Sequence, residues 1–179
     1  MKTIGSICVS LFILGAAGCA STQLRSWTSN PSFRVSSNPC YQVRFEPVKV
    51  DSPFFEMFLV SITNVSNDNL EIDWNKTRYI HNNRSQGGFV FKGIEPKDIK
   101  ASSIPADTVS AGQSLSRKIA PIKLLGWTRF RDTSVNPDES GFSPGILPEG
   151  ENGISLVARC NGEEVVEKLS LTISSEELR

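Results

Sequence analysis

The sequence predicts an all-β fold: an antiparallel, immunoglobulin-like β-sandwich of about eight strands, preceded by a disordered amino-terminal tether. Three observations predict it. The run Leu70-Glu71-Ile72-Asp73-Trp74 alternates strictly between apolar and charged residues, the mark of a half-buried strand. Near the end, Ile154, Leu156, Ala158 and Cys160 alternate on one run and Val165, Leu169, Leu171 and Ile173 on the next. The pair between them, Asn161-Gly162, is the preferred two-residue type I′ hairpin turn. Finally, no segment carries a convincing 3.6-residue apolar period; the best helix candidate, residues 95–100, is short.

Taken in order, residues 1–18 form a targeting segment, residues 19–39 a tether and residues 40–179 the sandwich domain. The tether is rich in Ser, Thr, Asn and Pro, has no acidic residue and shows no apolar period. Trp27 and Phe33 interrupt it, and either pack on the domain or rest at a membrane interface. Within the domain, residues 41–46 alternate with Val43 and Phe45 on one face. The parity switches after Pro47, which implies a bulge or a sheet edge there. Residues 54–63 are apolar on both faces, as a central strand would be. Shorter strands are expected at 78–81, 88–92 and 114–119, and the chain is long enough to bury a real core. If Asn161-Gly162 forms the loop, Cys160 faces Glu163, Ala158 faces Val165 and Ile154 faces Leu169. Turn chemistry and periodicity then agree on one buried face. Glu167, opposite Leu156, is the single misfit: it lies at an edge, meets a partner or reaches solvent.

The charge balance bounds the function. Nineteen basic residues meet nineteen acidic ones, which removes the electrostatic footprint of a nucleic-acid binder. His81 is the only histidine and sits beside Asn82-Asn83, at a strand end or turn. No nucleophile motif such as Gly-x-Ser-x-Gly accompanies it, so no catalytic residue is assigned. Asp132, Asp138 and Glu139 share a loop but lack the spacing of an EF-hand, and no Cys-x-x-Cys or His-x-x-x-His pair occurs. No metal or cofactor is therefore expected. Asn64, Asn75 and Asn83 each begin an Asn-x-Ser/Thr triplet, and are either glycan acceptors or turn formers. Cys40 and Cys160, at the two ends of the fold, are expected to form a disulfide; two separate thiols are the alternative. Residues 126–153 form a long Gly/Pro/Asp/Asn-rich loop that nonetheless holds Trp127, Phe130 and Phe142. These aromatics either pin the loop over the open end of the sandwich or present a partner-binding surface.

The first residues specify an address. Lys2 and the free amine precede an uncharged stretch centred on Cys8-Val9-Ser10-Leu11-Phe12-Ile13-Leu14, and small residues follow. This is the layout of a secretory signal peptide. Its ending, Ala16-Ala17-Gly18-Cys19, resembles the lipobox of bacterial lipoproteins, although that family usually has leucine where Ala16 stands. The resemblance implies cleavage before Cys19 and a diacylglycerol on its thiol. Ala20 is not the aspartate that marks inner-membrane retention in such proteins, so the implied destination is the outer membrane, facing the periplasm. A secretory signal with an incidental cysteine is the alternative.

Three further segments, Leu70-Glu71-Ile72-Asp73-Trp74-Asn75-Lys76-Thr77, Gly87-Gly88-Phe89-Val90-Phe91 and Pro148-Glu149-Gly150-Glu151-Asn152-Gly153, resemble small bacterial lipoproteins with no assigned activity. The architecture is similar to accessory lipoproteins of secretion and envelope machines. These resemblances imply a non-enzymatic envelope protein, held to a membrane through lipidated Cys19, that binds or scaffolds another envelope protein. A ligand- or glycan-binding module using the loop aromatics is the second expectation, and a hydrolase the third.

Overall fold

The computed structural model describes residues 25–50, 52–94, 96–101, 103–127 and 142–177. In chain order its elements are β1 (Arg25–Asn30), β2 (Arg34–Ser37), β3 (Tyr41–Val48), β4 (Met57–Asn64), β5 (Leu70–Ile72), β6 (Arg78–His81), β7 (Arg84–Ser85) and β8 (Phe89–Phe91). A short helix α1 (Pro96–Ala101) follows, then β9 (Asp107–Val109), β10 (Ser114–Pro121), a 3-10 turn (Ile122–Leu124), β11 (Gly126–Trp127), β12 (Phe142–Ser143), β13 (Gly150–Cys160) and β14 (Glu163–Glu177).

These strands build the antiparallel sandwich that the alternation predicts. One sheet runs β1-β14-β13-β5-β9, with β6 also paired to β13 and β7 to β6; the other runs β2-β3-β4-β10-β8. Inward residues of both sheets form one core, including Tyr41, Val43, Phe45, Phe58, Ile62, Ile72, Tyr79, Phe89, Ile154 and Leu171. The outer face of the second sheet is polar where Ser61 pairs with Ser116 (2.9 Å) and Thr63 with Ser114 (2.8 Å), each through hydroxyls. Antiparallel strands with one wet face read as such alternation.

The β13–β14 hairpin has the expected register, with Cys160 opposite Glu163, Ala158 opposite Val165 and Ile154 opposite Leu169. Asn161 (φ 52°) and Gly162 (φ 78°) both take the left-handed conformation that a type I′ turn requires. Asn82 and Asn83 do the same between β6 and β7, at φ 47° and 61°. Strand β4 lies at the centre of its sheet, between β3 and β10, as expected, but only one of its faces is covered: buried residues alternate with half-buried ones, and Ser61 and Thr63 face outward. It begins at Met57 rather than at residue 54, because Ser52 and Pro53 turn the chain and the Glu56 amide closes the loop onto the Val48 carbonyl (3.1 Å). At Pro47 the ladder to Phe58 continues without a bulge. Pro47 instead lies where the neighbouring β2 has already ended, since β2 covers β3 only from Gln42 to Phe45. A residue without an N–H fits such an edge.

The expected tether overruns the first two strands. Residues 25–37, assigned above to a flexible segment ending at residue 39, contain β1 and β2. Both are edge strands, and this explains their weak pattern. Strand β1 pairs only with residues 172–177 of β14, and β2 only with β3. Their Ser and Thr side chains face solvent or bond across the edge, as Thr28 Oγ1 does with Ser174 Oγ (3.1 Å). Trp27 is the one inward anchor, edge-on to Phe54 at 5.5 Å, so it packs on the domain. Phe33 is exposed beneath the Arg44 guanidinium, 3.6 Å from its ring centre. With these edges, β7 and β9 included, the sandwich holds twelve strands among the described residues in place of about eight.

Candidate functional site

The Cys40–Cys160 disulfide forms, with Cα atoms 6.2 Å apart. It joins the segment entering β3 to the end of β13, and so ties the two sheets together at the hairpin-turn end of the sandwich. Cys19 and Phe130 lie outside the described residues, as do Asp132, Asp138 and Glu139. The backbones of Trp127 and Phe142 lie directly opposite each other in the small β11–β12 ladder, which closes the base of the long loop. The chain thus brings together two of the three aromatic positions singled out from the sequence.

Each of the two long seams between the sheets carries polar contacts. On one side Trp74 Nε1 donates to Asp107 Oδ2 (2.9 Å), and Arg117 Nε donates to the same oxygen (2.9 Å) while its Nη2 bonds Oδ1. Asp107 belongs to β9 in one sheet and Arg117 to β10 in the other, so this fork spans them. The Arg117 guanidinium also lies 4.9 Å from the centre of the Phe91 ring. Burial acts to raise the Asp107 pKa, but the hydrogen bonds from Arg117 and Trp74, with the Arg117 charge, outweigh it and hold the carboxyl below its ordinary value. Stability from this carboxylate is fully present above the unfolded pKa, near 4, and is lost as pH falls through the lower folded value. Asp107→Asn is therefore expected to cost about 1–3 kcal/mol at neutral pH, with the gap to wild type narrowing below about pH 4. Denaturant titrations of both proteins across pH check this; a gap that stays constant down to pH 2.5 would contradict it.

The opposite seam joins β2 to β14. Arg34 Nε donates to the Ser170 carbonyl (3.0 Å) and Ser36 Oγ to Glu167 Oε1 (2.8 Å). Glu167, the misfit of the hairpin pattern, therefore meets a partner. The sequence could not show it, because Ser36 stood in the presumed tether. Arg34, Val35, Ser36, Lys168, Leu169 and Ser170 line an open, mostly polar groove along this seam.

The remaining chemical groups serve the fold. His81 ends β6, as expected, and its Nε2 bonds the Glu149 carbonyl (3.0 Å). Buried Tyr79 donates to Asn152 Oδ1 (2.5 Å), while Asn152 Nδ2 donates to the carbonyls of Pro148 (2.8 Å) and Gly150 (3.0 Å). Burial pushes the Tyr79 phenol well above its ordinary value; burial chiefly, with the Glu167 charge adding, pushes Tyr41 up to about 12. Neither phenol would ionise near neutral pH. Asn64 is fully buried, its amide nitrogen donating to the carbonyls of Asp68 (2.7 Å) and Val109 (2.8 Å). Asn75 exchanges two hydrogen bonds with the Ile104 backbone (2.7 and 2.9 Å). Asn64 braces the turn to Asp68 and ties it to β9, Asn75 ties its turn to the distant Ile104 segment, and Asn83 sits in a turn.

Among the described residues, no group of three or more His, Cys, Asp or Glu side chains is placed to hold a metal ion. No described helix is long and apolar enough to cross a membrane. No protein family, curated protein or solved structure matches the chain.

Proposed function

We propose that this chain is a lipid-anchored protein of the cell envelope, acylated at Cys19, with a non-catalytic interaction or scaffolding role at the outer membrane, facing the periplasm. One observation carries the reading: the sequence Ala16-Ala17-Gly18-Cys19 stands only six residues ahead of the first strand of a disulfide-bonded sandwich. A disulfide between sheets suits an oxidising compartment such as the periplasm. The non-catalytic part is supported by the tasks of the displaced ionisable groups. Asp107 and Arg117 pair across the sheets, and Tyr41 and Tyr79 are core residues.

The partner surface assigned to Trp127, Phe130 and Phe142 is supported by the β11–β12 ladder, which sets Trp127 and Phe142 in register. The same pairing favours a second reading, a module that binds a ligand or glycan through these aromatics.

Labelling of living cells with a palmitate analogue tests the anchor. Wild type is expected to label and Cys19→Ser to remain unlabelled; equal labelling of both would end the lipoprotein reading. Photo-crosslinking from positions 127 and 142 in intact cells tests the role. One reproducible envelope-protein adduct supports scaffolding, whereas glycan adducts with no protein adduct support the second reading.

A further inference from the structure

We infer that the end of the sandwich opposite the disulfide rests on the lipid surface, held there by the shortness of the chain between Cys19 and β1; this rests on the acylation reading above.

The strand directions define the two ends. Arg25 opens β1 opposite Glu177, the last residue of β14, while Glu163 at the other end of β14 pairs with the disulfide residue Cys160. Strand β3 runs from Tyr41, beside Cys40, toward Val48, and β4 leaves that same end at Met57. Strand β13 starts there at Gly150, opposite Ile173, and the Leu147 amide bonds the Phe55 carbonyl (2.8 Å). The loop between β3 and β4 and the segment before β13 therefore lie at one end, together with the start of β1.

Six residue steps separate Cys19 from Arg25, so even a fully extended connection spans about 20 Å. Part of that length crosses the headgroups, which occupy roughly 5–8 Å of each leaflet. A flexible tether of about twenty residues would give an r.m.s. span of roughly 25 Å and leave the domain free to tumble. Six steps do not.

The chemistry of this end suits the position. Val50 (42% exposed) and Ile146 (47% exposed) present apolar tips there, and Lys49 lies beside Val50 with its Nζ 5.0 Å from the Phe55 ring centre. Charge at this end is mixed and leans acidic, with Arg25 and Lys49 against Glu56, Glu149 and Glu176. The contact is thus set by the anchor and the apolar tips rather than by attraction between charges, so salt does not weaken it. The fifteen residues of β14 carry the Asn161-Gly162 turn and the disulfide up to about 50 Å from the surface.

The test uses the full acylated protein in vesicles of phosphatidylethanolamine and phosphatidylglycerol, with a photo-crosslinking residue at Val50, Ile146 or Val65. Val65 is 55% exposed beside the disulfide end and serves as the distal control. Acylation is first verified by mass. Lipid adducts at positions 50 and 146 are expected to exceed those at 65 several-fold, and not to fall on adding salt. A twenty-residue Gly/Ser insertion between Leu24 and Arg25 is expected to abolish the excess while leaving the protein in the membrane fraction. Equal adducts at all three positions in acylated protein overturn the inference and leave the anchor standing. Adducts that survive the insertion overturn the short connection as their cause. An unmodified Cys19 overturns the reading beneath both.

Discussion

Replacing Cys40 and Cys160 with alanine is expected to lower stability by about 4–5 kcal/mol, the entropy that a closed loop of 120 residues removes from the unfolded chain. In a domain of this size that corresponds to a fall in Tm of roughly 10–20 °C. The bond closes nearly the whole fold, from the start of β3 to the end of β13, so the unfolded ensemble is constrained along most of its length. Adding reductant to the wild-type protein separates the bond from the side chains. Reduced wild type is expected to lie slightly above the double variant, since buried Cys160 still fills its site as a thiol where alanine leaves a gap. Thermal and denaturant unfolding measure both. A loss below about 1 kcal/mol would mean that the disulfide contributes little.

Phe58→Ala is the second large effect expected. Phe58 is fully buried in the central strand of its sheet, stacked on Phe45 at 4.5 Å and edge-on to Phe89 at 6.4 Å. It also meets Tyr79 at 6.2 Å, across the sandwich on β6. Truncation removes the ring from three aromatic contacts and leaves a cavity between two sheets that the ladders hold apart, so collapse is limited. The expected cost is about 3–5 kcal/mol. Val50→Ala, at an exposed loop, should stay within about 0.5 kcal/mol. Equal, small losses for the two would contradict the assignment of the core. Net stabilities of small domains are about 5–15 kcal/mol, so Phe58→Ala combined with loss of the disulfide is expected not to fold.

The sequence revealed most where one residue's neighbours are its own strand or its hairpin mate. The register of β13 and β14 followed from Asn161-Gly162 and the parity of eight apolar residues, because a one-residue slip would reverse the buried face. The inward parity of Leu70 and Ile72 and the disulfide were legible for similar reasons. Edge strands were not. Residues 25–37 bury little beyond Trp27 and pair on one side only, so they carry the composition of a linker while serving as strands. Strand β9, at three residues, is too short to display alternation. The cross-sheet contacts were likewise hidden. Nothing in the spacing of Trp74, Asp107 and Arg117 shows that β5 and β9 join one sheet and β10 the other. Of the candidate site, the chain order showed aromatics within a long loop, but not that Trp127 and Phe142 oppose each other across a ladder.

A domain on a long leash could reach partners anywhere nearby. If Cys19 is acylated as proposed, a domain whose first described strand begins six residues later would have one end committed to the bilayer and would offer its sides and far end to partners. Under that proposal β1 would be both the edge of a sheet and the first described segment after the anchor, which would link stability to orientation.

Acylation of Cys19 is read from the mass of the mature amino-terminal peptide, taken from the membrane fraction of the native host. The account predicts a peptide that begins at Cys19 and carries a diacylglycerol, with or without a third acyl chain. A peptide that begins elsewhere, or one that begins at Cys19 without lipid, would contradict it.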